Sequence, residues 1–225
     1  MSSASPLSGT IRVMKTKGAP SKRRQRSSEE SAIRQRILEA AFDAFMKSGY
    51  AAASTLEIAS RARVSKRELY ALVGNKQQML IACIGERSTR RLTVPAELPV
   101  PHDRETLGKV LAAFGAQLLR EVSDPIVIGV FRLAIAEVAQ APEVARTLDS
   151  IGRETTRVAL RQIMSQAQES GLLEGRPAEL AEQFVGLLWR DLLVGLLLGV
   201  SERPAPREIA ARARDATAAF LRIHS

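Results

Sequence analysis

Three helix-start signals crowd into one short stretch. Ser54-Thr55-Leu56-Glu57, Ser65-Lys66-Arg67-Glu68 and Asn75-Lys76-Gln77-Gln78 follow one another between residues 54 and 78. The first two have the form of a capping box and the third is a close relative: a short oxygen-bearing side chain satisfies a free amide three residues on and the longer side chain there reaches back. Starts this close leave room only for short helices at about 54–62 and 65–72, then a longer one at about 76–91. Two helices joined by a three- or four-residue turn are a helix-turn-helix candidate.

The rest of the chain reads as helix around this unit. Ser27-x-x-Glu30 predicts a start, and Ile33, Ile37, Leu38, Ala41, Phe42 and Phe45 recur on one helical face. Gly49 predicts a stop at about Ser48. A break follows at Thr93–Asp103, where Pro95, Pro99 and Pro101 fall. Long helices are then expected at about 104–122, 125–140, 149–170, 177–200 and 206–223, with a short helix or turn at Pro142. Asp124-Pro125 supplies an N-cap and an N1 proline. No period-2 strand is visible, and aromatic residues are only 4%, which favours helix over strand. The expectation is an all-α chain with three parts. Residues 1–28 form a disordered basic tail, 29–91 a helix-turn-helix domain with its connecting helix, and 92–225 a larger helical bundle.

Charge points to the partner. Residues 1–28 carry a net +7 with no acid, residues 29–91 a net +4, and residues 92–225 a net −2. A basic front half suits a polyanion. The single cysteine, Cys83, excludes an intrachain disulfide, and with His102 and His224 as the only histidines no metal or cofactor site is expected. A reduced, cytoplasmic setting follows. The apolar run from Phe184 to Val200 holds Arg190 and Asp191 near its centre, so it reads as a buried helix rather than a membrane span. No glycine-rich phosphate loop or nucleophile elbow suggests an enzyme.

The segment Gly49–Lys76 resembles the tetracycline-repressor (TetR) family of bacterial regulators. Gly49, Tyr50, Ser54, Thr55, Ile58, Ala59, Ala62, Val64, Ser65, Leu69, Tyr70 and Lys76 match its pattern without a gap. Two positions depart from it: Arg63 stands where the turn glycine is usual, and Val73 where an aromatic is. Arg63 is therefore expected in a left-handed backbone at a cost of roughly 1 kcal/mol. In a helix-turn-helix the second helix enters the major groove by its N-terminal end. That end holds Ser65, Lys66 and Arg67, and the two cations can donate to guanine O6 and N7. Ser54 and Thr55, at the start of the preceding helix, can hold a phosphate. The resemblance places Tyr70 and Lys76 on phosphates as well. The alternatives are solvated surface charges for Lys66 and Arg67, a core position for Tyr70, and for Glu68 a cap on Ser65 rather than a contact to cytosine.

Residues 131–139 and 184–198 resemble a subgroup with an AefR-like C-terminal domain. The resemblance implies a small-molecule effector and a homodimer. Candidate effector contacts are Phe114, Gln117 and Leu118, then Phe131, Arg132 and Ile135, then Trp189 and Asp191. The alternative is a buried ion pair among Arg132, Glu137 and Asp191. The helix at 177–200 is apolar almost all round, so Leu188, Leu192 and Leu196, with Phe220, are candidates for an isologous dimer interface. Their alternative is burial inside one subunit. The function expected is a dimeric, ligand-responsive, sequence-specific DNA-binding regulator, a repressor on a palindromic operator. The rival is a helical carrier of apolar molecules whose basic tail binds polyanions or membranes non-specifically.

Overall fold

The structure, a computed structural model, describes residues 22–91 and 101–224. Among them every regular element is a helix. The front unit comprises α1 (Lys22–Ser48), α2 (Thr55–Ala62), α3 (Lys66–Val73) and α4 (Lys76–Arg91). Then come α5 (Arg104–Val122), α6 (Pro125–Glu137), α7 (Pro142–Thr147), a π-helical turn (Leu148–Arg153) and α8 (Glu154–Glu169). The chain ends with α9 (Pro177–Trp189), α10 (Leu192–Leu198) and α11 (Pro206–Ile223). No helix among the described residues is long and apolar enough to cross a membrane.

Helix α1 begins at Lys22, five residues before the expected start, so Ser27 lies inside the helix and does not cap it. Residues 22–28 of the expected tail are thus helical, and residues 1–21 lie outside the described residues, as do residues 92–100 of the expected break. The turn between α2 and α3 follows expectation. Arg63 sits at φ 56°, ψ 49°, the left-handed region. Its N–H donates to Ser60 O at 3.1 Å, and Val64 N–H donates to Ala59 O at 3.0 Å. These are the paired bonds of a Schellman ending. Arg36 of α1 adds a bond to Ala62 O at 3.3 Å, satisfying another carbonyl at the end of α2. A side chain in this backbone state costs about 1–2 kcal/mol, part of which glycine returns through its freer unfolded chain. Arg63→Gly is therefore expected to raise stability by roughly 1 kcal/mol and the melting temperature by ~2–4 °C. Thermal melts followed by circular dichroism measure this. A lower melting temperature would mean that the Arg63 side chain contributes more than its backbone costs.

Two apolar clusters form the interior. The first joins α1–α4 to Val130, Leu133 and Ala134 of α6, and to Ala141, Val144 and Leu148. The front unit therefore has no core of its own ending at residue 91; α6 and α7 complete it. The second cluster joins α5, α8, α9, α10 and α11. It packs closely at Gly115, where an added Cβ would lie 3.1 Å from Leu188 Cδ1 and 3.3 Å from Phe184 Cζ. Phe184 and Phe220 meet edge to face there, 5.6 Å between centroids.

The single helix expected over 177–200 is two helices. Arg190 takes φ 48°, ψ −125° and breaks it. Both Arg190 and Asp191 reach solvent at the break. A continuous helix buried on all sides would have enclosed two charges at a cost of several kcal/mol each. Arg212 of α11 donates to Trp189 O at 3.2 Å and so serves the freed end of α9.

Candidate nucleic-acid interface

Helix α3 is built to expose one face. Ser65 is its N-cap, and Ser65 Oγ accepts from Glu68 N–H at 3.1 Å, as the capping box predicted. Leu69 is fully buried against the front core, while Lys66, Arg67 and Tyr70 stay exposed. Tyr70 is therefore not a core residue. Its hydroxyl lies 3.4 Å from Thr55 Oγ1, and Lys66 Nζ stands 5.9 Å from its ring centroid. Lys66, Tyr70 and Thr55 thus form one connected polar strip across α2 and α3. Ser54 departs from expectation: it is the N-cap of α2, but its side chain makes no cap bond.

The third box closes in both directions. Asn75 N–H donates to Gln78 Oε1 at 2.8 Å, and Gln78 N–H donates to Asn75 Oδ1 at 2.9 Å. This fixes the start of α4 and with it Lys76. Lys76 Nζ donates to Ala51 O at 2.9 Å and Ala53 O at 3.3 Å, and lies 4.8 Å above the Tyr50 ring. An ammonium has three donors, so one is left for an external acceptor. Lys76 is a clamp on the loop before α2 as well as a candidate phosphate ligand.

Sequence reasoning missed the far side of that loop. Glu137, the last residue of α6, accepts from Ala51 N–H at 3.3 Å. A Cβ on Gly49, where φ is +81°, would come within 2.7 Å of the same carboxylate, so only glycine fits beside it. Tyr50 packs on Phe45 with centroids 5.4 Å apart. Burial, then the Glu143 carboxylate of α7, push its phenol pKa up. Eighty-six positions separate Ala51 from Glu137, so no local spacing announces the pair.

Behind α6 lies a cavity of about 710 Å³. Its walls come from α5, α6, α8, α9 and α10, with Ile84 of α4 at one side. Leu118, Phe131 and Trp189, three of the candidate effector contacts, line it. Other expected contacts do not. Phe114 is buried in the second core. Gln117 donates to Glu121 and accepts from Arg120. Ile135 is exposed, and Asp191 is at the helix break. Arg132 forms neither the cavity wall nor the expected ion pair. Its guanidinium donates to Leu197 O at 2.9 Å and Leu196 O at 2.8 Å, capping the C-terminus of α10. Glu121 was also missed, as were Arg153, Thr156, Arg157 and Arg161. The four-residue spacing of those arginines on one helical face was the available signal.

The four expected interface residues are interior instead. Leu188 and Phe220 are 0% exposed within one subunit, and Leu192 and Leu196 are 8% and 5% exposed. The outer side of the same helices exposes Val194, Leu198 and Ile223.

Residues 109–224 match the family described as the AefR-like transcriptional repressor, C-terminal domain, and residues 37–83 match the bacterial regulatory proteins of the tetR family. The uncharacterized HTH-type transcriptional regulator YvkB of Bacillus subtilis (strain 168) is 24% identical over 174 residues, which are 77% of this chain and 88% of that protein. Among solved structures, the flavonoid-responsive regulator FrrA aligns with a TM-score of 0.73 at 27% identity, covering 86% of this chain and 97% of the other. A TetR transcriptional regulator from Agrobacterium tumefaciens aligns with a TM-score of 0.66 at 28% identity, covering 85% and 94%.

Proposed function

The chain belongs to the TetR family of bacterial DNA-binding transcriptional regulators, and from that premise we propose that it is a dimeric repressor released from a palindromic operator by a small molecule. The observation that carries the DNA-facing part is the exposed Lys66–Arg67 pair at the N-terminus of α3, next to the Thr55–Tyr70 contact. Lys66 and Arg67 read guanine edges in the major groove. Ser54, Thr55, Ser65, Tyr70 and the free donor of Lys76 hold phosphates and set the register.

The effector site in this proposal is the cavity behind α6. Helix α6 presents Val127, Val130 and Phe131 to it, while Glu137 at the end of the same helix holds Ala51 N–H. A ligand that shifts α6 also shifts the loop that Lys76 clamps, and with it the spacing of two recognition helices. The ligand needs only to favour one arrangement over the other. Dimerisation uses the outer face of α9–α11, where Val194, Leu198 and Ile223 are exposed apolar groups. A carrier would explain the cavity but not the family match at residues 37–83.

A footprint on the DNA upstream of the gene for this protein, with excess competitor, is the test. The expected result is a protected palindrome whose half-sites are separated by one or more helical turns, ~34–36 Å each. Protection without two-fold symmetry would refute the dimeric reading, and no protection over competitor would refute sequence-specific binding to its own promoter.

A further inference from the structure

We infer that the ligand of the cavity behind α6 is an apolar molecule with one anionic head group, a carboxylate, seated on the arginines of α8. This rests on the reading of that cavity as the effector site. The walls from α5, α6 and α9 are dominated by apolar side chains: Leu118, Val122, Val130, Phe131, Ala181 and Val185. One wall differs. Arg153, Arg157 and Arg161 on the π-turn and α8 all border the cavity.

The acids that hold these arginines do not border it. Asp149 bonds Arg153 at 3.0 Å and Arg157 at 3.1 Å, and Glu154 bonds Arg157 at 3.4 Å and Arg161 at 2.5 Å. The order Arg153–Asp149–Arg157–Glu154–Arg161 is a ladder with a net charge of +1, its three arginines among the residues that line the cavity and its two acids not. Each guanidinium carries five donors in a fixed fork. The acids occupy only some of them and hold the planes in place. Donors already oriented lose little freedom when a carboxylate arrives, and a fork accepts a carboxylate through two parallel bonds. Thr156, on the same wall, adds a hydroxyl.

Two other carboxylates border the cavity, and neither is on this wall. Glu121 is on α5, buried, and takes a hydrogen bond from Gln117. Glu182 is on α9 and exposed. They disfavour an anion near α5 and α9, which places the head group at α8 and the apolar body toward Phe131 and Trp189.

The chain has a single tryptophan, Trp189, and it lines the cavity, so its fluorescence reports binding directly. The full chain is titrated with dodecanoate, dodecanol and dodecyltrimethylammonium, each below its micellar concentration. Dodecanoate is expected to saturate the signal and to bind about tenfold or more tightly than dodecanol, the effect of a charged hydrogen bond. The R157Q/R161Q variant is expected to bring the two to near parity with dodecanol binding unchanged. Should that variant lose its helical melt, R157Q alone is expected to lower the preference about threefold or more, and R157K to keep only part of it, since lysine retains the charge without the fork. Equal binding of dodecanoate and dodecanol by the natural chain would overturn the anion assignment and leave the effector cavity standing. So would an undiminished preference in the glutamine variants. Tightest binding of the cation would overturn it in favour of Glu121 and Glu182. Silence of Trp189 toward all three would overturn the effector-cavity reading itself.

Discussion

Leu188→Glu is expected to abolish cooperative melting of the α5–α11 bundle rather than to release folded monomers. Leu188 has no exposure in a single subunit and meets α5 at Gly115, where an added Cβ would stand 3.1 Å from its Cδ1. Phe184 and Ala213 complete that packed contact with apolar groups that cannot pair with a carboxylate, and an unpaired charge in such a place shifts stability by more than about 4–5 kcal/mol. A typical domain has only about 5–15 kcal/mol in total. Leu188→Met, which conserves volume, is expected to cost less than about 1.5 kcal/mol. Circular dichroism melts and light scattering on the two variants decide the matter. A soluble, fully helical Leu188→Glu monomer with an unchanged melt would place Leu188 at a subunit interface and contradict its burial here. The opposite expectation holds for Leu198, which is exposed on the outer face of α10: glutamate there is expected to leave the fold intact and weaken the dimer.

The second large effect is on DNA. Arg67 is exposed at the N-terminal end of α3, one position after Lys66. If it is bidentate to guanine, Arg67→Ala costs ~1–3 kcal/mol per half-site. A dimer carries two copies, so affinity for the palindrome is expected to fall by about 2–6 kcal/mol, with preference relaxed at one position per half-site. Lys76→Ala is the contrast. A phosphate contact carries no direct sequence information, so its loss is expected to weaken all sites about equally and to lower the salt dependence of binding. Binding measured across a library of operator variants separates the two. An unchanged preference in both Arg67→Ala and Lys66→Ala would remove these residues from the reading surface. A base-specific loss in Lys76→Ala would move Lys76 onto it.

The helix-turn-helix was legible because its determinants are local. A capping box spans four residues, and its partners are set by chain geometry alone, as Asn75 and Gln78 show by bonding in both directions. The left-handed turn at Arg63 was legible through the family resemblance, because Arg63 stands where that pattern has its turn glycine. The first helix shows the limit of this reasoning. Ser27 has the spacing of a cap, yet helix continues through it to Lys22. A cap stabilises an end only by about 1 kcal/mol, and where the preceding residues are good helix formers it does not stop them.

Residues that act across the fold were less legible. Arg132 lies among apolar residues, and its sequence neighbourhood suggested an ion pair or a cavity wall. Its actual partners, Leu196 O and Leu197 O, exist as acceptors only because Arg190 ends α9 and a second helix ends at Gly199. Glu137 likewise meets Ala51 only because α6 completes the core of the front unit. The apolar pattern of residues 177–200 established that this segment must be covered. It could not say whether the cover is the same subunit or another, since burial lowers the free energy of an apolar side chain in either case. The sequence by itself therefore determined most of the helices and the short turn between α2 and α3 with its cations, which depend on bonds within a few residues. The tertiary structure alone decided which apolar faces are interior, where the long helix breaks, and which arginines turn toward the cavity, because those depend on packing partners far away in the chain.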